Sequence, residues 1–215
     1  DANTTGSNNV GIGVDALGAN TTASGNVAIG HESLSTSTTA SLNVGVGRHS
    51  LTSTTTGGSN VAVGEQCMRG NTTGNSNTAV GQGSLFSNTT ANNNTSVGFN
   101  TMIANTTGAE NTAVGMAALD ANSTGGANTA IGRSALGAAT TANNNTAVGY
   151  FALLSNTTGI ENVAVGGNAL DANTTASNNT ALGAFAASAI TTGFNNTAVG
   201  RASLFSNTTG TENTA

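Results

Sequence analysis

The sequence predicts an all-β chain, a parallel β-solenoid or β-roll with one 17-residue coil per repeat. Three observations carry that expectation: an unbroken short period, a glycine at one fixed place in every period, and a composition unlike that of a globular domain. The stretch NTAVGMAALDANSTGGA, residues 111–127, is followed at once by the near-copy NTAIGRSALGAATTANN. Aligned on the Asn that opens each copy, the chain restarts at Asn9, Asn26, Asn43, Asn60, Asn77, Asn94, Asn111, Asn128, Asn145, Asn162, Asn179, Asn196 and Asn213. A fixed period of this length is the signature of a stacked array in which each unit packs on its neighbours.

The domain organisation expected is a single repeat array over residues 1–215. Full repeats occupy 9–212, and residues 1–8 and 213–215 fit incomplete ones, as expected of a window from a longer chain. Composition agrees with an array: 30 Gly, no Pro, 3% aromatic and 6% charged residues, where a globular domain carries roughly 25% charged.

Comparing repeats within the one chain assigns each position, numbered from its Asn as slot one. Slot four is aliphatic throughout and slot nine is Leu, Met or Ala, so the core is expected at Val80, Leu85, Val97, Val114, Leu119, Ile131, Leu136, Val148 and Leu153. Slot two, Thr or Val, shares a strand face with slot four by the alternation of an extended chain. Slot three is only Ala, Gly or Ser, so something approaches that opposite face closely. Slots eight and eleven are small as well, as suits tightly stacked coils or a second chain alongside.

Slot five is Gly in every full repeat, including Gly81, Gly98, Gly115, Gly132 and Gly149. Those positions are expected to turn the chain with a positive φ or to leave no room for a side chain. Slot fifteen, Gly or Ala, marks a second, more tolerant corner. Two corners and two β-rich segments make a flattened coil, with the four residues that end at slot nine either a strand or one helical turn.

The polar slots are equally regular. Slot one is always Asn, slot thirteen is Thr except at Ser123, and slot fourteen is Thr at all thirteen occurrences from Thr5 to Thr209. Equal residues stacked at the strand spacing of ~4.8 Å form hydrogen-bonded ladders along an axis, and a structural role is expected for them. Two large apolar side chains cannot offset the entropy of ordering seventeen residues, so a coil requires neighbours. That need favours self-association, either as a homo-oligomer or end to end through open sheet edges.

The wording NTAVGxxALxxNTTGxx resembles the tandem repeat of tail-fibre-like surface proteins of bacteria and their phages, over essentially the whole chain. Its N-x-A-V-G portion is more distantly similar to the head repeats of trimeric autotransporter adhesins. The resemblance implies an elongated, usually trimeric, parallel β-structure at a cell or virion surface. The function expected is therefore a structural extracellular fibre or adhesin shaft. The alternative is an ice- or polysaccharide-binding array using Thr and Asn ladders, although slots thirteen and fourteen, being consecutive, point to opposite sides of an extended chain.

Chemistry is sparse. The only basic residues besides two His are Arg48, Arg69, Arg133 and Arg201, against nine acids, which leaves no basic stripe for nucleic acid. No apolar run approaches the roughly 18 residues that span a bilayer, and a lone Cys67 excludes an intrachain disulfide. No catalytic triad or phosphate loop is implied by spacing, so neither enzyme activity nor a cofactor is expected. His31, Glu32 and His49, with Arg48, fall at slots six and seven of adjacent repeats and are expected to lie near one another on a corner. Two His and one Glu could hold a metal, but the same slots elsewhere hold Val14, Phe99, Met116, Tyr150 and Gly167, as a solvated corner would, and no metal is expected.

The strongest chemical signal is a modification motif. Slot twelve forms N-x-[ST] acceptors at Asn3, Asn20, Asn71, Asn88, Asn105, Asn122, Asn156, Asn173 and Asn207, which would line one edge with glycans. Overlapping matches occur at Asn93, Asn94, Asn144, Asn178 and Asn195.

Overall fold

In a computed structural model that describes residues 2–215, the chain is an all-β parallel solenoid turning once per repeat, with no helix among the described residues. Each coil has one three-residue strand made by slots two to four. The strands are β1 (Val10–Ile12), β2 (Val27–Ile29), β3 (Val44–Val46), β4 (Val61–Val63), β5 (Thr78–Val80), β6 (Thr95–Val97), β7 (Thr112–Val114), β8 (Thr129–Ile131), β9 (Thr146–Val148), β10 (Val163–Val165), β11 (Thr180–Leu182) and β12 (Thr197–Val199). Two compact units are present, one up to Ala109 and one from Glu110 onward. In the first, β1 to β6 pair in sequence order, and in the second β7 to β12 do the same. Every pair is parallel and offset by one repeat, so like residues stack: Thr129 on Thr146, Ala130 on Ala147, Ile131 on Val148.

The strand faces are the reverse of the expectation for slot four. Slot three points inward: Ala79, Ala113, Ala130 and Ala147 are fully buried. Slots two and four point outward. Val80 is 38% and Ile131 39% exposed, while Val97, Val114 and Val148 are half-buried, so none of these five belongs to the core. The physical reason is the thinness of the coil. A Cβ built on Gly45, at slot three, would lie 2.7 Å from Ser33 Oγ and 2.8 Å from Ser50 Oγ, the slot-eight side chains of the opposing wall. At Gly45 even a methyl group would clash, and no coil carries anything larger than Ala or Ser at slot three, so the larger aliphatic residues of the strand are turned out.

The core instead has two parts. Leu85, Leu119, Leu136 and Leu153 of slot nine are fully buried, as are Met68 and Met102. Burying such a side chain contributes roughly 1.5–3 kcal/mol. Beside them lies a polar interior of Asn from slots one and twelve. Where slot twelve is Asn, the slot-fifteen carbonyl accepts both amides: Gly74 O takes Asn60 Nδ2 at 2.8 Å and Asn71 Nδ2 at 3.1 Å. Asn60 Oδ1 in turn accepts Asn77 N at 3.0 Å and Asn77 Nδ2 at 3.1 Å, carrying the ladder from coil to coil. The buried Nδ2 groups are tolerated because they are hydrogen-bonded, although the Oδ1 atoms of Asn20 and Asn173 find no partner among the described residues.

The segment from slot five to slot twelve is neither strand nor helical turn, contrary to both readings. It is a run of tight turns, in which Ala118 N donates to Gly115 O and Asn122 N to Leu119 O, each three residues back. Between them the backbone bonds to neighbouring coils, as with Leu119 N to Ala135 O at 3.0 Å. Slots seven and nine both adopt left-handed φ, 53° at Ala117 and 53° at Leu119. For a bulky residue this conformation costs roughly 1–2 kcal/mol, and the stacked hydrogen bonds on either side hold it in place. The slot-five glycines have φ of 130° at Gly81, 141° at Gly98, 131° at Gly115 and Gly132, and 139° at Gly149. At Gly115 a Cβ would also stand 2.6 Å from Gly132 O. Both the torsion and the close stacking exclude a side chain.

Candidate functional site

Three surfaces hold the functional candidates. The first is the row of slot-twelve sequons, and the fold turns it inward. Asn71, Asn88, Asn105, Asn122, Asn156 and Asn173 are fully buried and Asn20 nearly so. Their Nδ2, the atom an N-linked sugar would occupy, donates to the slot-fifteen carbonyl three residues on: Asn88 to Ala91 at 3.2 Å, Asn105 to Gly108 at 3.0 Å, Asn122 to Gly125 at 3.0 Å. Asn156 and Asn173 bond in the same way to Gly159 and Ala176, and Asn20 to Ala23. Asn3 is exposed and Asn207 half-buried, yet their amides make the same bond, to Gly6 and Gly210. A glycan column along slot twelve is therefore incompatible with the folded coil at its buried positions: a sugar needs solvent, and the amide would lose its internal acceptors. Of the overlapping acceptors, Asn94 is buried, whereas Asn93, Asn144, Asn178 and Asn195 at slot seventeen are exposed.

The second surface is the outward sheet face, which sequence reasoning placed inside. Seven strands present a Thr-x-aliphatic pair there, such as Thr129 with Ile131 and Thr180 with Leu182. The signal that could have found it was slot three: a position confined to Ala, Gly and Ser marks the crowded face. Near one edge of the coil, slot thirteen hydroxyls donate along the axis, Thr72 to Thr89 O at 2.9 Å and Thr157 to Thr174 O at 3.0 Å. Slot-fourteen threonines such as Thr73, Thr124 and Thr158 are exposed, and among the described residues their hydroxyls make no hydrogen bond to the protein.

The third surface is the corner at slots six, seven and ten, the most varied part of the repeat. It carries all four arginines. Arg48 Nη1 lies 3.3 Å from Glu65 Oε1, one coil on. Arg69 stacks on Phe86 at 6.0 Å. In the second unit the Arg133 guanidinium stands 5.7 Å from both the Tyr150 and Phe151 rings, and Phe185, Arg201, Ala202 and Phe205 line a groove of about 310 Å³. His31, Glu32 and His49 come together on the same corner in the first unit.

Two titratable groups are shifted by burial. Desolvation pushes the Cys67 thiol up to about 12, against a smaller opposing effect of a backbone hydrogen bond, so it is a neutral core group. Its Sγ donates to Ala79 O at 3.3 Å. Desolvation also raises Asp120 above the usual carboxylate range, partly offset by backbone amides. No helix among the described residues is long and apolar enough to cross a membrane. Comparison with protein-family models, with curated proteins and with solved structures returns no match for the chain.

Proposed function

We propose that the chain is a segment of a structural fibre or adhesin shaft, extracellular or displayed at a cell or virion surface, that associates with further copies of itself. The observation that carries this reading is the economy of the coil. The most regular slots serve stacking: slot five turns without a side chain, the Asn of slots one and twelve knit the polar interior, and the slot-thirteen hydroxyl bonds to the next coil. No register shift interrupts the repeats in either unit. Such a design supplies stiffness and regular spacing.

Self-association has its own support. The outward face of β7 to β11 exposes Ile131, Val165 and Leu182 at 37–40% in a regular row, flanked by slot-two Thr and Val. Contiguous exposed apolar surface of this kind marks interaction sites. Sedimentation velocity tests it: the wild-type chain is expected to associate with rising concentration, and a variant with Ile131, Val148 and Val165 all replaced by Lys is expected to remain monomeric and folded. A wild-type chain that is monomeric at every concentration would overturn the association.

A second reading is favoured by the same face. Thr and aliphatic groups alternating on a regular sheet form a weakly polar array of the kind that can bind ice or a crystalline polysaccharide. This array is carried by slots two and four, a different surface from the Thr and Asn ladders that the repeats suggest for such a role. A thermal-hysteresis assay separates the readings, since a shaft has no effect on ice growth.

A further inference from the structure

The geometry points to a divalent transition-metal site, of the kind zinc occupies, formed by His31, Glu32 and His49 where two adjacent coils meet at the variable corner. Their ligand atoms all lie within 4.8 Å of one another. His31 Nε2 is 3.9 Å from Glu32 Oε1, and His49 Nδ1 is 3.0 Å from Glu32 Oε2. Four-coordinate zinc with bonds near 2.0–2.1 Å holds its donors roughly 3.4 Å apart, so these separations bracket what one ion requires. Two imidazoles and a carboxylate are also a donor set suited to zinc, with a coordination position left for water.

Two further observations favour an ion over an ordinary His–Glu pair. The His49 side chain is only 12% exposed, and its Nδ1 is a buried atom without a hydrogen-bond partner, because the 3.0 Å approach to Glu32 does not meet hydrogen-bond geometry. A buried ring nitrogen beside a carboxylate, with the second imidazole ring standing at 90° and 5.3 Å, is arranged as ligands are around a shared centre. The competing cation is also drawn away: Arg48, between the two histidines in sequence, extends to Glu65. The backbone is fixed at this place. Glu32 N donates to Val14 O and His49 N to His31 O, both at 2.9 Å, and Glu32 and His49 share the left-handed φ of slot seven, 54° and 57°.

The cluster joins one coil to the next, since His31 and Glu32 precede His49 by about one repeat. A bound ion would cross-link the coils beside the slot-five turns. The site occurs once in a repeat whose other copies put Gln82, Phe99, Asn100 or Ala117 at the same slots, so it is a local addition to the shaft.

Titration of the untagged chain with zinc chloride against a chelating indicator tests the proposal, with a thermal melt recorded at each point. The expected result is one saturable zinc per chain and a melting temperature that rises with zinc. His31→Gln and His49→Asn adopt residue types already carried by this corner, so both variants should fold as the wild type does without metal. Each should weaken zinc binding at least tenfold and abolish the rise in melting temperature, and Glu32→Gln should do likewise. Glu65→Gln, whose carboxylate pairs with Arg48 and is not one of the three donors, should bind zinc as the wild type does. The absence of stoichiometric binding, or binding that survives unchanged in both histidine variants, would overturn the site and leave the cluster as a simple ion pair.

Discussion

Asn88 Nδ2 lies 2.8 Å from Asn71 Oδ1, one coil away, and 3.2 Å from Ala91 O within its own coil. The same amide is the atom on which an N-linked sugar would be built. Peptide mass spectrometry of the natively isolated protein is therefore expected to find Asn71, Asn88 and Asn105 unmodified. A glycan at any of the three would mean that the coil opens there.

The isosteric change Asn88→Asp isolates the hydrogen bond. It replaces the donor with a carboxylate oxygen facing two acceptors in a buried site. A loss of about 2–4 kcal/mol is expected. Asn88→Ala should cost less, because Ala139 fills the same slot in another coil. Urea denaturation of both variants checks the order.

The reversed strand face predicts unequal truncations. Leu119→Ala removes a fully buried side chain and should cost about 2–5 kcal/mol. Val114→Ala trims a half-buried one and should cost under about 1 kcal/mol in the monomer. If copies associate through this face, the second cost grows with protein concentration while the first does not.

Backbone strain gives an unusual expectation at slot seven. Ala117→Gly relieves a left-handed φ of 53°, and Gly83 already occupies that slot with φ 65°. A gain of roughly 0.5–1 kcal/mol is expected, after the entropy cost of glycine. Gly115→Ala, by contrast, meets Gly132 O at 2.6 Å and should cost about 3 kcal/mol or more. Thermal melts of the two variants should move in opposite directions.

Cys67 ties stability to alkaline pH. Its pKa is raised from 9.0 to about 12 by burial, so the folded chain holds the thiol proton that the unfolded chain loses first. The stabilisation is complete below pH 9 and declines as pH rises from 9 to 12. Cys67→Ala should lack that decline, and native Cys67 should resist thiol reagents until the protein unfolds.

Much of this architecture was legible in the repeats. The glycines of slot five and the buried leucines of slot nine stand out because no other residue type, or only another apolar one, replaces them. The direction of the strand was not, because Val114 and Ala113 differ in size in the sense opposite to ordinary burial. The left-handed Leu119 was equally hidden: leucine has no preference for that conformation, which only the hydrogen bonds of stacked coils enforce. The N-x-T motif at Asn88 was visible, but its tripeptide carries no information about which way the amide points. At the corner the spacing of His31, Glu32 and His49 was enough to bring them together. What spacing alone could not show was the buried, unpartnered Nδ1 of His49.

Electron microscopy of the natively isolated material tests the shaft most directly. The account predicts long uniform filaments whose coils repeat axially at ~4.8 Å. Discrete particles that neither lengthen nor associate would contradict it.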